Sequence, residues 1–413
     1  MKKEYFDELW GGFSGGDVLW KANLFLEAIA FSYLFSLDDK NNILKKSYPS
    51  FVIEEVLPDF IKLSRSDLNI IFFELNNTTG NNDNYFLNSF DKLVSNILTD
   101  INRNDSLDFF NKMLDRVIQK SLSVGDVYTP SVIVELMVSL ISPKVGEKID
   151  DPACGTGEFL ISCINYLGEG SKSTFISGRD VNKQNVKIAK IRLLINNYTL
   201  ECVEKKEGWN FSPRSIKSDV IITNPPFSLK NYSGGEESYI YGLPPKSNAD
   251  YAFIQYVIFN LTINGRAAII VPDGVLFRQG KEREIREKIV LDKKITTIIS
   301  LPKGIFPGTA ISANILLIDK GNKSEKIFMI DLSTSNNIDL SYIINLHNKK
   351  SETKYSKLVS IDEIRSNGFN LTVSKYFDEI KENEIINLDF LIKKQKKLED
   401  KLNILQEEFY KLF

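Results

Sequence analysis

Apolar residues recur every three or four positions over Lys21 to Leu37, Phe86 to Leu98 and Leu107 to Ser121. That is the period of helices burying one face. A polar stretch from Asn76 to Asn84 interrupts them, and the whole reads as a helical domain over residues 1–120 with one mobile loop. After Tyr128-Thr129-Pro130 the pattern changes. Short apolar runs (EKIDD, TFISGRD, TLECVEKK, SDVIITN, RAAIIV, ITTIISL and SANILLID) alternate with helical stretches. Such alternation predicts right-handed crossovers and an α/β, Rossmann-like, mostly parallel doubly wound sheet over residues 121–378, with ligands at the carboxyl ends of its strands. The tail, residues 379–413, carries Leu391, Leu398, Leu402, Leu405, Phe409 and Leu412 in a short heptad stripe that Gln395 interrupts. A C-terminal helix that docks a partner subunit and one that folds back on its own domain fit this stripe equally.

Composition narrows the class. The 413 residues suit two or three domains, and 43% hydrophobic with 26% charged residues is ordinary for a soluble globular chain. Cys154, Cys163 and Cys202 form no CxxC pair, and His347 is the single histidine. No structural zinc or other metal is expected, and the thiols point to a reducing, cytoplasmic setting. The first residues lack an uninterrupted apolar h-region, and no later run is long enough to span a bilayer, so no membrane partner is expected.

Two segments carry candidate chemistry. Asp151-Pro152-Ala153-Cys154-Gly155-Thr156-Gly157 follows a predicted strand and opens a predicted helix. Gly155 and Gly157 allow a tight turn and close approach to a ligand, and the helix start offers unpaired N–H groups. By itself G-x-G is also an ordinary strand-to-helix turn. Asp180 ends the next strand, where an acidic side chain can accept both hydrogen bonds of a ribose diol. The loop lacks the third glycine of the dinucleotide fingerprint and begins with Asp151, which suits a zwitterionic amino-acid head better than a pyrophosphate. Thr129 is a good N-cap and Pro130 a good first residue for a helix over Val132 to Leu140, where a carboxylate can also sit.

The second segment is an apolar strand running into Asn224-Pro225-Pro226-Phe227. The prolines end the ladder and stiffen the turn, leaving the Pro225 carbonyl and the Asn224 amide oxygen as neighbouring acceptors. Two such acceptors can each take one N–H of a planar exocyclic amine and aim its lone pair at an electrophilic methyl group. Phe227 offers a flat face to a base that has left its stack. A rigid strand-end turn with a core Phe is the structural alternative.

Together, in this order, these motifs resemble the gamma-class amino-methyltransferases of DNA. More closely, the chain resembles the modification subunit of type I restriction–modification systems, through Gly125 to Pro130 (GDVYTP), Asn248 to Phe253 (NADYAF), Gly265 to Phe277 (GRAAIIVPDGVLF), Leu301 to Thr309 (LPKGIFPGT) and Gly368 to Phe377 (GFNLTVSKYF). The resemblance implies an S-adenosylmethionine-dependent methyltransferase sheet of seven strands, the last antiparallel, and a helical N-terminal domain that closes over DNA. It implies adenine N6 as the target. It also implies as partners a sequence-specificity subunit, a second copy of the chain and, in some complexes, a restriction/translocase subunit. Tyr128, Thr129, Pro130, Asp151, Ala153, Gly155, Thr156, Gly157 and Asp180 would hold the cofactor, and Asn224, Pro225, Pro226 and Phe227 the reacting base. Phe306 would stack on the base's other face or pack in the core. A net charge of -2 then matters, because a chain gripping DNA alone usually shows a basic excess; a partner or spatial clustering must supply the grip.

One departure stands out. The family often has Gly-Asp-x-Leu before the catalytic strand, whereas this chain has Gly208-Trp209-Asn210-Phe211. The acidic contact to the cofactor's adenine amine is missing, and Asn210 is the substitute acceptor expected there. Protein glutamine-N5 and RNA guanine-N2 methyltransferases share the Asn-Pro-Pro-aromatic site, and a non-catalytic scaffold shares the fold. The LPKGIFPGT and GFNLTVSKYF segments weigh against the first two, and the intact glycines and Asn224 against the third.

Overall fold

A computed structural model describes residues 129–198, 203–306, 311–335 and 338–377, two helices near the amino terminus, and a few further helical positions between 7 and 97. Tyr128 and the predicted C-terminal helix lie outside the described residues.

Among the described residues nine strands form one sheet in the order β3-β2-β1-β4-β5-β7-β6-β8-β9. They are β1 (Lys148–Asp151), β2 (Phe175–Asp180), β3 (Val203–Lys205), β4 (Ser218–Thr223), β5 (Leu261–Pro272), β6 (Ile295–Ser300), β7 (Ala313–Asp319), β8 (Lys326–Asp331) and β9 (Ser356–Ser360). Strands β1 to β5 are mutually parallel, and the strand order reverses between β1 and β4, the switch point where doubly wound sheets bind ligands. β7 inserts antiparallel between β5 and β6. Seven of the strands match the sequence reading, including the antiparallel seventh. Two were not foreseen: β8 adds parallel to β6, and β9 closes the edge antiparallel to β8. The sheet is therefore nine strands wide, and the antiparallel seventh strand is internal to it.

The near-continuous apolar runs follow from burial on both faces. In β4 every residue except Asp219 is buried, and in β7 every residue except Asp319. The helices packed on this sheet include α3 (Ser131–Ile141) on β4 and β5, α4 (Glu158–Leu167) on β1 and β2, α5 (Lys183–Ile195) on β2 and β3, and α6 (Asp250–Asn260) on β5. Asn182 caps α5, its side chain accepting from Gln184 N at 2.8 Å.

The amino-terminal helices α1 (Val18–Ser36) and α2 (Ser106–Ser121) pack on each other and on α5. Within the predicted helix over Phe86 to Leu98, the buried positions Phe90, Leu93, Val94 and Ile97 keep helical spacing. One buried apolar cluster runs from Ala22 in α1 through Ile133 in α3 to the sheet, and the described residues up to Ser374 fall in one compact unit. Two charged contacts pin the helices to α5. Lys187 Nζ lies 2.6 Å from Glu27, both buried, and Arg192 bridges Asp115 at 2.8 Å to Glu158 at 2.7 Å. Among the described residues no helix is long and apolar enough to cross a membrane.

Candidate active site

The loop after β1 is built as its glycines require. Gly155 and Gly157 have φ of +52° and +88°, and a Cβ on Gly157 would come within 3.1 Å of Ala189 Cβ in α5. Close helix approach and left-handed backbone thus both demand glycine there. Asp180 ties the loop to β2: its Oδ2 accepts from Gly155 N at 3.0 Å, and its Oδ1 from Asn182 N at 2.7 Å. Burial raises the Asp180 carboxyl, against the pull of these N–H groups. Asn185 Nδ2 also donates to Oδ1 at 3.5 Å, so the open capacity for a hydroxyl lies on Oδ2. Thr156 donates its hydroxyl to Glu158 at 2.6 Å, at the start of α4.

Asp151 closes β1 fully buried. Its Oδ1 accepts from Ala153 N at 3.0 Å, and its Oδ2 has no partner. Burial pushes this carboxyl up to about 8. The nearby Thr223 hydroxyl opposes that shift but closes no well-formed bond. Beside the loop lies a cavity of about 240 Å³, lined by Pro152, Asp180, Trp209, Asn210, Phe253 and Tyr256 among others. Trp209 meets Phe253 edge-on, ring centroids 5.3 Å apart. Asn210 lines the cavity, but its Oδ1 already accepts from Ser212 N at 3.0 Å and Ser212 Oγ at 2.7 Å. The expected acceptor is engaged in its own turn, and what Asn210 can offer a ligand is its Nδ2 donor.

The catalytic turn follows β4. Asn224 Nδ2 donates to Thr129 Oγ1 at 2.9 Å, while Asn224 Oδ1 is buried with no partner. The expected cap at Thr129 is not made. Pro130 occupies the N-cap position of α3, no side-chain bond caps that helix, and the Thr129 hydroxyl instead meets Asn224. Pro225 is buried, and Pro226 and Phe227 are half-buried. Phe227 meets Phe306 edge-to-face with ring centroids 6.4 Å apart, and Phe306 is 1% exposed. Of its two expected roles, Phe306 fills the core one here, backing Phe227.

Sequence reasoning missed the residue that holds this turn down. Ser228, at φ +52°, donates its N–H to Asp250 Oδ1 at 2.8 Å, and Asp250 Oδ2 takes Arg278 at 2.8 Å. Asp250 lies in the NADYAF segment, whose acidic residue at a helix start was the available signal. The GFN and DGVLF segments also converge. Fully buried Arg286 donates to the Phe369 carbonyl at 2.6 Å and to the Val275 carbonyl at 3.2 Å.

A glycine cradle, an aromatic-walled cavity with an acidic residue on its wall and an orphaned carboxylate oxygen together fit an amino-acid-bearing nucleoside. A family model for N-6 DNA methylases matches residues 103–385. The chain belongs to that family. The type I restriction enzyme MjaVIII methylase subunit of Methanocaldococcus jannaschii is 29% identical over 325 residues, covering 70% of this chain and 54% of that protein. The corresponding MpnII methylase subunit of Mycoplasma pneumoniae is 29% identical over 329 residues, covering 69% of this chain and 60% of that one. The chain thus spans little more than half the length of these relatives. A solved type I restriction–modification methyltransferase subunit from Streptococcus thermophilus shares the fold, with a TM-score of 0.68 at 19% identity over 92% of this chain and 100% of that one.

Proposed function

We propose that the chain is a site-specific DNA adenine-N6 methyltransferase using S-adenosylmethionine, and that it serves as the modification subunit of a type I restriction–modification complex. Its partners on this reading are DNA, a sequence-specificity subunit, a second copy of itself and, in a restricting complex, a restriction/translocase subunit. Its place of work is the cytoplasm. The observation that carries the reading is Asn224 Oδ1, a buried acceptor with no partner at the carboxyl end of β4. A buried, unpaired amide oxygen is unfavourable unless a ligand brings it a donor.

When bound, the cofactor supplies an electrophilic methyl group on a sulfonium. Asp180 and the cavity beside it suit the nucleoside, and Asp151 Oδ2 suits the ammonium of the amino-acid head. Asn224 Oδ1 and the Pro225 carbonyl each accept one N–H of the adenine amine, turning its lone pair out of conjugation and toward the methyl. The amine held by these two acceptors would need no strong side-chain base, because its extra proton becomes acidic on methylation and would leave past them to water. Phe227 stacks on the base, contributing about 1–3 kcal/mol. Tyr128 and Pro130 are assigned to cofactor binding, and residues 1–120 to the part that meets DNA.

The test is Asn224→Ala in the native host, read by nucleoside mass spectrometry and single-molecule sequencing of genomic DNA. N6-methyladenine is expected to vanish from one defined motif. If every motif stays methylated while the gene is expressed, the DNA assignment fails.

A further inference from the structure

The Asn224–Thr129 bond joins two segments 95 residues apart, and it points to a use of Thr129 other than cofactor binding. We propose that Thr129 is a positioning residue that holds the plane of the Asn224 amide, so that Oδ1 faces the substrate amine; this rests on the methyltransferase reading above.

An asparagine amide is nearly symmetric in shape, and rotation about its last bond replaces an acceptor with a donor. The productive orientation needs the oxygen toward the amine, since an NH2 group there would set donors against donors. Asn224 has two ends in two environments. Its Nδ2 meets the Thr129 hydroxyl at 2.9 Å, and its Oδ1 is buried without a partner. Thr129 is itself 9% exposed, so water does not readily replace its hydroxyl. It also sits immediately before Pro130, whose ring fixes the backbone where α3 begins. The hydroxyl is thus mounted on a stiff, buried support and has no capping duty. Take it away, and Nδ2 becomes a second orphan, so nothing holds one orientation of the amide over the other.

Three substitutions, made in the complex purified from the native host, separate positioning from cofactor binding. Thr129→Val removes the hydroxyl at nearly constant volume. Its kcat for adenine methylation is expected to fall by up to about 100-fold, the scale of a misplaced reacting group, with the cofactor Kd from calorimetry unchanged. Thr129→Ser keeps the hydroxyl and restores kcat. The third is Asn224→Asp, whose carboxylate presents an acceptor whichever way it is turned. In that background Thr129→Val costs no further kcat. If Thr129→Val does not fold, Thr129→Ala takes its place. A rise in cofactor Kd that accounts for the lost activity, or an equal loss in the Asn224→Asp background, overturns the proposal and makes Thr129 a cofactor ligand; a kcat unchanged in Thr129→Val overturns it as well. Failure of the underlying reading shows differently, as methylation that survives Asn224→Ala.

Discussion

Asp150 and Asp151 are chain neighbours at the end of β1, both fully buried, yet their surroundings are opposite. Adjacent strand residues point to opposite faces of a sheet. On one face both oxygens of Asp150 are partnered: its Oδ1 takes Ser177 Oγ at 2.6 Å and Arg214 at 2.5 Å, and its Oδ2 takes Arg179 at 2.7 Å. On the other face Asp151 has a single backbone partner, one orphaned oxygen and a carboxyl pushed up by burial to about 8. Burial alone does not separate a structural carboxylate from a functional one; the completeness of its partners does. A carboxylate whose two oxygens already face two arginines gains little from a ligand, whereas one with an orphaned oxygen is held in an unfavourable state that a cation relieves.

Removing the fully partnered carboxylate has the largest expected effect. Asp150→Ala leaves two arginines without their buried counter-charge, and breaking such a cluster costs about 3–5 kcal/mol. The variant should show a lowered midpoint in chemical denaturation, with cofactor affinity in the surviving folded fraction little changed. Equal stability of variant and parent would remove the distinction drawn between the two aspartates.

Asp151→Asn should do the converse. It swaps a carboxyl that is neutral below about pH 8 for a neutral amide of the same shape, so stability near pH 6 is retained. Cofactor binding loses a charge-assisted hydrogen bond to the ammonium, about 1.5–3 kcal/mol or roughly 10- to 100-fold in Kd. The same pair carries a pH signature. The folded-state value of Asp151 lies above its ordinary value of 3.8, so the native state binds the extra proton in between. Its contribution to cofactor-free stability is therefore fully present below about pH 4 and lost as pH rises to about 8. The difference between parent and variant in denaturation midpoints across that window isolates this slope. Identical slopes would mean that Asp151 does not hold its proton.

Much of this was legible from the chain, and what was not has physical causes. Most of the seven expected strands announced themselves as apolar runs bounded by polar turns, because strands such as β4 and β7 are buried on both faces. The run in β8, Lys326–Asp331, is as apolar but lies between the LPKGIFPGT and GFNLTVSKYF segments, outside any recognised motif. β9 reads Ser-Lys-Leu-Val-Ser and is half-covered, as an edge strand is. The Asn-Pro-Pro-Phe and glycine-loop residues were found because their chemistry is local: a proline, a positive φ, a strand end. The hydroxyl of Thr129 was misassigned because local sequence offers it a helix to cap, while its partner comes from 95 residues away. Arg214, which completes Asp150, carries no sequence mark at all.

Asn210 is the smallest and most discriminating case. Read from sequence, it stands in for a missing carboxylate and accepts the cofactor's adenine amine. In the structure two donors of Ser212 already occupy its Oδ1, and Gly234 packs so close that a Cβ there would lie 2.1 Å from that oxygen. The side chain is therefore part of the turn that shapes the cavity wall. Asn210→Ala should loosen this turn by about 0.5–1.5 kcal/mol and alter cofactor affinity by less than about threefold, under 1 kcal/mol. Binding calorimetry with S-adenosylmethionine and with its N6-methylated analogue separates the two roles. A tenfold loss for the parent cofactor in the variant, with no loss for the analogue, would restore Asn210 as the acceptor. Equal, small changes for both would leave adenine recognition to the aromatic wall of Trp209, Phe253 and Tyr256.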